Sequence, residues 1–115
     1  MQNQTLNNEN ISVIIRTLNE EEWVGHTIQS ILDFIYKPEI IIVDNRSTDE
    51  TLQIVKHFKK DPDLKNENNS QYTKIKICYI DDYTPGKALN LGIQKSTNEF
   101  IIIISSHCVL KKINI

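Results

Sequence analysis

The sequence predicts an α/β fold, doubly wound around a mostly parallel sheet, and three observations carry that expectation. Three short apolar runs, Ile11 to Ile15, Ile40 to Val43 and Ile101 to Ile104, are dense in β-branched residues without polar alternation. That is the pattern of strands buried on both faces. Between the runs, apolar residues recur at the spacing of amphipathic helices. Finally, the two kinds of segment alternate as β, α, β, α, β, α, β, which implies crossover connections and helices on the faces of one sheet.

Residues 1 to 10 are polar, and no basic region leads into an apolar run, so they read as a disordered arm rather than a signal peptide. The folded domain is expected over residues 11 to 115. After the first strand, Asn19 and Glu22 have the spacing of a capping box, and Val24, Ile28, Ile31, Leu32 and Ile35 fall on one helical face that Pro38 ends. Ser47 and Glu50 repeat the capping spacing before a stripe of Leu52, Val55 and Phe58. The stretch from Lys59 to Thr73 is rich in Asp, Asn, Lys and Ser without a period, and reads as a surface loop. Ile75 to Ile80 alternates and carries Lys76, which suits a strand near an edge. Thr84 and Pro85 form an N-cap and first-turn pair for a third helix, packing through Ala88, Leu89, Gly92 and Ile93.

With 115 residues the chain makes one domain. A formal charge of −2 supplies no basic field for a nucleic-acid backbone, so nucleic acid is not an expected partner. No apolar stretch approaches the roughly 20 residues that span a bilayer, so integral membrane contact is not expected either. The two cysteines, Cys78 and Cys108, are too few for a disulfide scaffold and suit a reducing, cytoplasmic setting.

In doubly wound sheets ligands bind outside the carboxyl ends of the strands. Here those ends are Arg16 to Asn19, Asp44 to Asp49, Asp81 to Thr84 and Ser105 to Cys108. The densest polar cluster is Val43-Asp44-Asn45-Arg46-Ser47-Thr48-Asp49. An aspartate at such a strand end can accept hydrogen bonds from a base or ribose; equally, Asp44 can end the strand while Ser47 caps the helix. Neither a Walker nor a dinucleotide glycine fingerprint is present.

Four segments together resemble the family 2 glycosyltransferases: Ile11-Ser12-Val13-Ile14-Ile15-Arg16-Thr17-Leu18-Asn19-Glu20, Ile41-Ile42-Val43-Asp44-Asn45-Arg46-Ser47-Thr48-Asp49, Pro85-Gly86-Lys87-Ala88-Leu89-Asn90-Leu91-Gly92-Ile93 and Asn98-Glu99-Phe100-Ile101. The resemblance covers residues 11 to about 110 and implies the Rossmann-like, nucleotide-sugar-binding half of a GT-A fold. It implies that a nucleoside diphosphate sugar binds between the first strand and Asp44, at Thr17, Asn19, Glu20 and Asp44. Asp44 matches the first aspartate of that family's aspartate-aspartate-glycine-serine turn, in which Asn45 and Arg46 replace the second aspartate and the glycine. Arg46 and Lys87 are further candidate donor-binding residues, because each brings a positive charge towards the expected ligand; a solvated side chain is the alternative for both.

The sequence departs from the family at the fourth strand end. Where the family carries aspartate, any residue, aspartate to hold a divalent cation, Mn²⁺ or Mg²⁺, this chain has Ser105-Ser106-His107. Hard cations prefer carboxylate oxygen, whereas imidazole suits Mn²⁺ and Zn²⁺, so weaker metal affinity is expected with His107 as the candidate ligand. Ser105 and Ser106 are candidate donor-binding residues.

Members of that family are longer, with acceptor site and catalytic base following the metal motif. The resemblance therefore implies the donor-binding half of an inverting glycosyltransferase acting on a glycan or lipid-linked acceptor, shortened and inactive alone. A non-catalytic nucleotide-binding or interaction module, and a receiver-type regulatory domain, are the alternatives from other classes. Only eleven residues follow Ile104, too few for another crossover, so an uncovered fourth strand and a homodimer or larger homo-oligomer are expected.

Overall fold

The computed structural model describes residues 11–59 and 73–111. Seven elements follow in the expected order: β1 (Ile11–Thr17), α1 (Val24–Phe34), β2 (Glu39–Asp44), α2 (Thr51–Phe58), β3 (Lys74–Tyr79), α3 (Pro85–Lys95) and β4 (Phe100–Ser105). The strands form one sheet in the order β3-β2-β1-β4, and every pairing is parallel. Growth of the sheet reverses direction between β1 and β4. This places α1 and α2 over one face and α3 over the other. The expected arm over residues 1 to 10, and all but the ends of the expected loop over Lys59 to Thr73, lie outside the described residues.

Side chains alternate across a strand, so each isoleucine run feeds two cores. Val13, Ile15, Ile40, Ile42 and Ile104 pack with Val24, Ile28, Ile31 and Val55 beneath α1 and α2. Ile14, Ile41 and Val43 pack with Ala88 beneath α3. Gly92 brings α3 against β1 so closely that a Cβ there would sit 2.6 Å from Ile14 Cγ2. At the opposite end of the sheet from the ligand edge, Glu39 is buried in a shell of donors from Ser12, Thr97 and Lys76.

Three local expectations are corrected. The two capping boxes do not form: α1 starts after Trp23 and α2 after Glu50, neither with a side-chain cap from its own N-cap residue. Asn19 and Ser47 instead bond across to each other's loops, and Glu21 and Asp49 accept the orphan N–H groups of Glu50 and Thr51. The Thr84 cap does form, accepting from Lys87 N at 3.1 Å. Ile93 is exposed rather than packed. Finally, β4 is not buried on both faces: Ile103, which pairs with Ile14 on the α3 side, is 51% exposed. The cause is the placement of α3, which lies over β1 and β2 and leaves that side of β4 open among the described residues. β3 is an edge strand, as its Lys76 suggested. No described helix is long and apolar enough to cross a membrane.

Candidate functional site

The carboxyl ends of β1, β2 and β4 meet where the sheet changes direction, the position at which doubly wound sheets bind ligands. Register aligns Thr17 with Asp44 and Arg16 with both Val43 and Ser105. Thr17 and Asp44 lie on the α1 and α2 side, whereas Arg16 lies on the face that α3 covers further down.

Asp44 is fully buried. Its Oδ1 accepts the Thr17 hydroxyl at 2.6 Å and the Ser47 hydroxyl at 2.6 Å, and its Oδ2 accepts Ser47 N at 2.7 Å. These bonds fold the chain sharply back after β2, and Arg46 at the bend takes a φ of 56°. This left-handed backbone favours glycine, the residue that the resembling family carries there.

Asn19, also left-handed with φ 54°, joins this turn to the loop after β1. Its Oδ1 accepts Thr48 N at 2.8 Å and Asp49 N at 3.3 Å, and its N donates to Ser47 Oγ at 2.9 Å. Glu20 N donates to Thr51 Oγ1 at 2.7 Å and Glu21 N to Asp49 Oδ2 at 3.2 Å. Burial and then the hydroxyl and amide donors act in opposite senses on Asp49, and the donors prevail, lowering its carboxyl below the usual range.

Above this rim opens a cleft of about 230 Å³, lined by Arg16, Thr17, Leu18, Glu20, Asn45, Tyr83, Ser105, Ser106 and His107. Arg16 Nη1 donates to the Tyr83 hydroxyl at 3.0 Å. His107 Nδ1 faces Glu20 Oε1 at 3.3 Å. The backbone of Ser106 is pinned from below, its carbonyl accepting the Thr27 hydroxyl at 2.9 Å, and Leu110 N donates to Ser30 Oγ at 2.9 Å. Beside the Glu20 carboxylate, which faces His107, the cleft combines a guanidinium, hydroxyls, an imidazole and a phenol, donors suited to an anionic ligand with a planar group.

Of the sequence-derived candidates, Thr17, Glu20, Ser105, Ser106 and His107 line the cleft together. Asp44 and Asn19 lie beneath it and shape its rim. Arg46 and Lys87 are not among the lining residues. Arg46 Nε pairs with Asp81 Oδ1 at 2.7 Å over the Tyr79 ring, a contact that raises the guanidinium and lowers the Asp81 carboxyl. Lys87 Nζ pairs with Asp82 Oδ2 at 2.7 Å. Sequence reasoning missed Arg16 and Tyr83. The available signal was a charge at the penultimate residue of a strand otherwise built for burial.

The donor set does not fit a hard divalent cation. Such ions take several carboxylate oxygens, and among the described residues no three His, Cys, Asp or Glu side chains converge. Glu20 and His107 supply two donors and face each other, while Asp44 is consumed by its own turn. Cys108 is exposed, and burial holds the half-buried Cys78 thiol above its usual range.

The sequence model of glycosyl transferase family 2 matches residues 12–115. The dolichyl N-acetyl-alpha-D-glucosaminyl phosphate 3-beta-D-2,3-diacetamido-2,3-dideoxy-beta-D-glucuronosyltransferase of Methanococcus voltae is 32% identical over 100 residues, covering 84% of this chain and 29% of its own length. The poly-beta-1,6-N-acetyl-D-glucosamine synthase of Staphylococcus epidermidis is 32% identical over 106 residues, covering 89% of this chain and 23% of its own. Among solved structures, residues 1–349 of Staphylococcus aureus TarS in complex with UDP-GlcNAc superpose with a TM-score of 0.67 at 28% identity, covering 85% of this chain and 26% of that one. A mannosyltransferase from Pyrobaculum calidifontis, in complex with GDP-Man and Mn²⁺, shares the fold with a TM-score of 0.69 at 21% identity, covering 87% of this chain and 28% of that one. The chain spans well under half the length of these relatives. Its strand order, its cleft at the direction change of the sheet and the family match together lead to one assignment: the chain belongs to glycosyl transferase family 2 and carries the α/β architecture of its GT-A neighbours.

Proposed function

We propose that the cleft binds a nucleoside diphosphate sugar and that the chain is the donor-binding part of an inverting glycosyltransferase acting on a glycan or lipid-linked acceptor. The observation that carries this reading is the convergence of Arg16, Thr17, Glu20, Ser105, Ser106 and His107 on one cleft at the switch point of the sheet. A structural neighbour of the same family in complex with UDP-GlcNAc supports it. In this reading the nucleoside lies against the Asp44–Asn19 rim near Thr17 and Glu20, and the diphosphate extends towards Ser105 and His107.

Inverting transfer needs a carboxylate to take the acceptor proton as the hydroxyl attacks the anomeric carbon in line. Glu20 is the only carboxylate among the described residues lining the cleft, and it is engaged by His107. The reading therefore gives this chain donor binding and gives the base to the part of its relatives that it does not span.

Titration of the 115-residue chain with UDP, GDP and UDP-GlcNAc, followed by amide chemical shifts, tests it. Saturable changes at residues 16 to 20 and 105 to 107 are expected. If none of the three nucleotides binds, or if the shifts cluster elsewhere, the reading fails.

A further inference from the structure

Three of the cations near the ligand edge differ in how they are satisfied. Arg46 and Lys87 are each held by an aspartate at 2.7 Å. Arg16 is half-buried inside the cleft, its described contact is the neutral Tyr83 hydroxyl, and it has no carboxylate partner among the described residues. A guanidinium carries five N–H donors, and one is used here. A partly desolvated, unpaired cation is costly to keep unless an anion joins it.

Arg16 also stands in register with Ser105 on the neighbouring strand. This is the first residue of Ser105-Ser106-His107, the segment that replaces the carboxylates expected to hold a metal. Two aspartates and one divalent cation sum to zero charge, so their joint loss leaves the net charge of the site unchanged but removes the positive charge nearest the diphosphate, which another cation must then supply. Arg16 adds one fixed positive charge, in a planar fork that matches two phosphate oxygens at once. With His107 Nδ1 turned to Glu20, Nε2 is the ring nitrogen left for a ligand.

We propose that Arg16, assisted by Ser105 and His107, holds the diphosphate of the donor directly, and that no divalent cation takes part in donor binding. This rests on the donor-binding reading above, and the test separates the two. The 115-residue chain is titrated with UDP and GDP, and with uridine and guanosine, in EDTA and again in Mn²⁺, with affinities read from amide shifts so that weak binding is measured. The diphosphate is expected to bind equally in both conditions, within about twofold. Arg16→Gln is expected to weaken the diphosphate by at least about tenfold and to leave the nucleoside within about twofold. Arg16→Lys should recover part of the loss.

Binding that appears only with Mn²⁺ overturns the inference and leaves the donor-binding reading standing. Absence of diphosphate binding in both conditions overturns both. An equal loss of diphosphate and nucleoside in Arg16→Gln would mean that Arg16 only supports the fold, and the inference fails. The EDTA and Mn²⁺ comparison uses the unaltered chain and holds even if that variant does not fold.

Discussion

Asn19 Oδ1 accepts the backbone N–H of Thr48 at 2.8 Å, so the loops that follow β1 and β2 form a single hydrogen-bonded rim. Ser47 completes the link by bonding both Asn19 N and Asp44. The cleft is therefore shaped by residues that do not all face it, and substitutions beneath the rim are expected to act on binding through the loops.

Asp44→Ala tests this directly. The substitution strands the buried Thr17 hydroxyl and the half-buried Ser47 N–H, and an orphaned buried group costs about 1–3 kcal/mol. A stability loss of about 3 kcal/mol in urea unfolding is expected, with nucleoside diphosphate affinity lowered at least about tenfold. Asp44→Asn keeps an acceptor for the hydroxyls and should fall between the two. An unchanged urea midpoint for Asp44→Ala would contradict the structural role.

Arg46→Gly should raise stability. Arg46 holds φ at 56°, a conformation that L-residues adopt at a cost and glycine adopts freely. Its partner contact with Asp81 is exposed on both sides, and such pairs contribute little. A higher urea midpoint, with nucleotide affinity unchanged because Arg46 lies outside the cleft, is the expected result. A lower midpoint would show that the Asp81 and Tyr79 contacts outweigh the backbone strain.

Features set by neighbours in the chain were legible from the sequence; those set by partners far along it were not. The Thr84 cap reads correctly because its partner, Lys87 N, is three residues away. Asn19 and Ser47 carry the same capping chemistry, but their partners lie 28 and 29 residues away in the other loop, where spacing rules do not reach. Ile103 belongs to a run that looks as buried as Ile41, and only the strand order, which leaves β4 outside the cover of α3, separates them. The same holds in the cleft. Arg16, Arg46 and Lys87 are alike in sequence, and the acids Asp81 and Asp82 decide which of them is left unpaired.

Glu39 predicts the acid response of the fold. Burial alone would raise its carboxyl, but Lys76 Nζ at 2.8 Å, the Ser12 hydroxyl at 2.6 Å and the Thr97 N–H and hydroxyl at 2.9 and 3.0 Å outweigh it, lowering the group from 4.5 to about 2. In the unfolded chain it titrates at its ordinary value. Above pH 4.5 it is charged in both states and contributes its full stabilisation; as pH falls, the unfolded chain takes up the proton first, and stability is lost until the folded group is also protonated near pH 2. Its side chain is 1% exposed, so solvent screening is slight, and the contribution lost across this window is about 3 kcal/mol. Glu39→Gln should lower stability at pH 7 and flatten the decline between pH 4.5 and 2. Urea midpoints of the two proteins at pH 7, 4.5, 3 and 2 check it: parallel declines through the acid window would mean that other carboxylates carry the acid sensitivity.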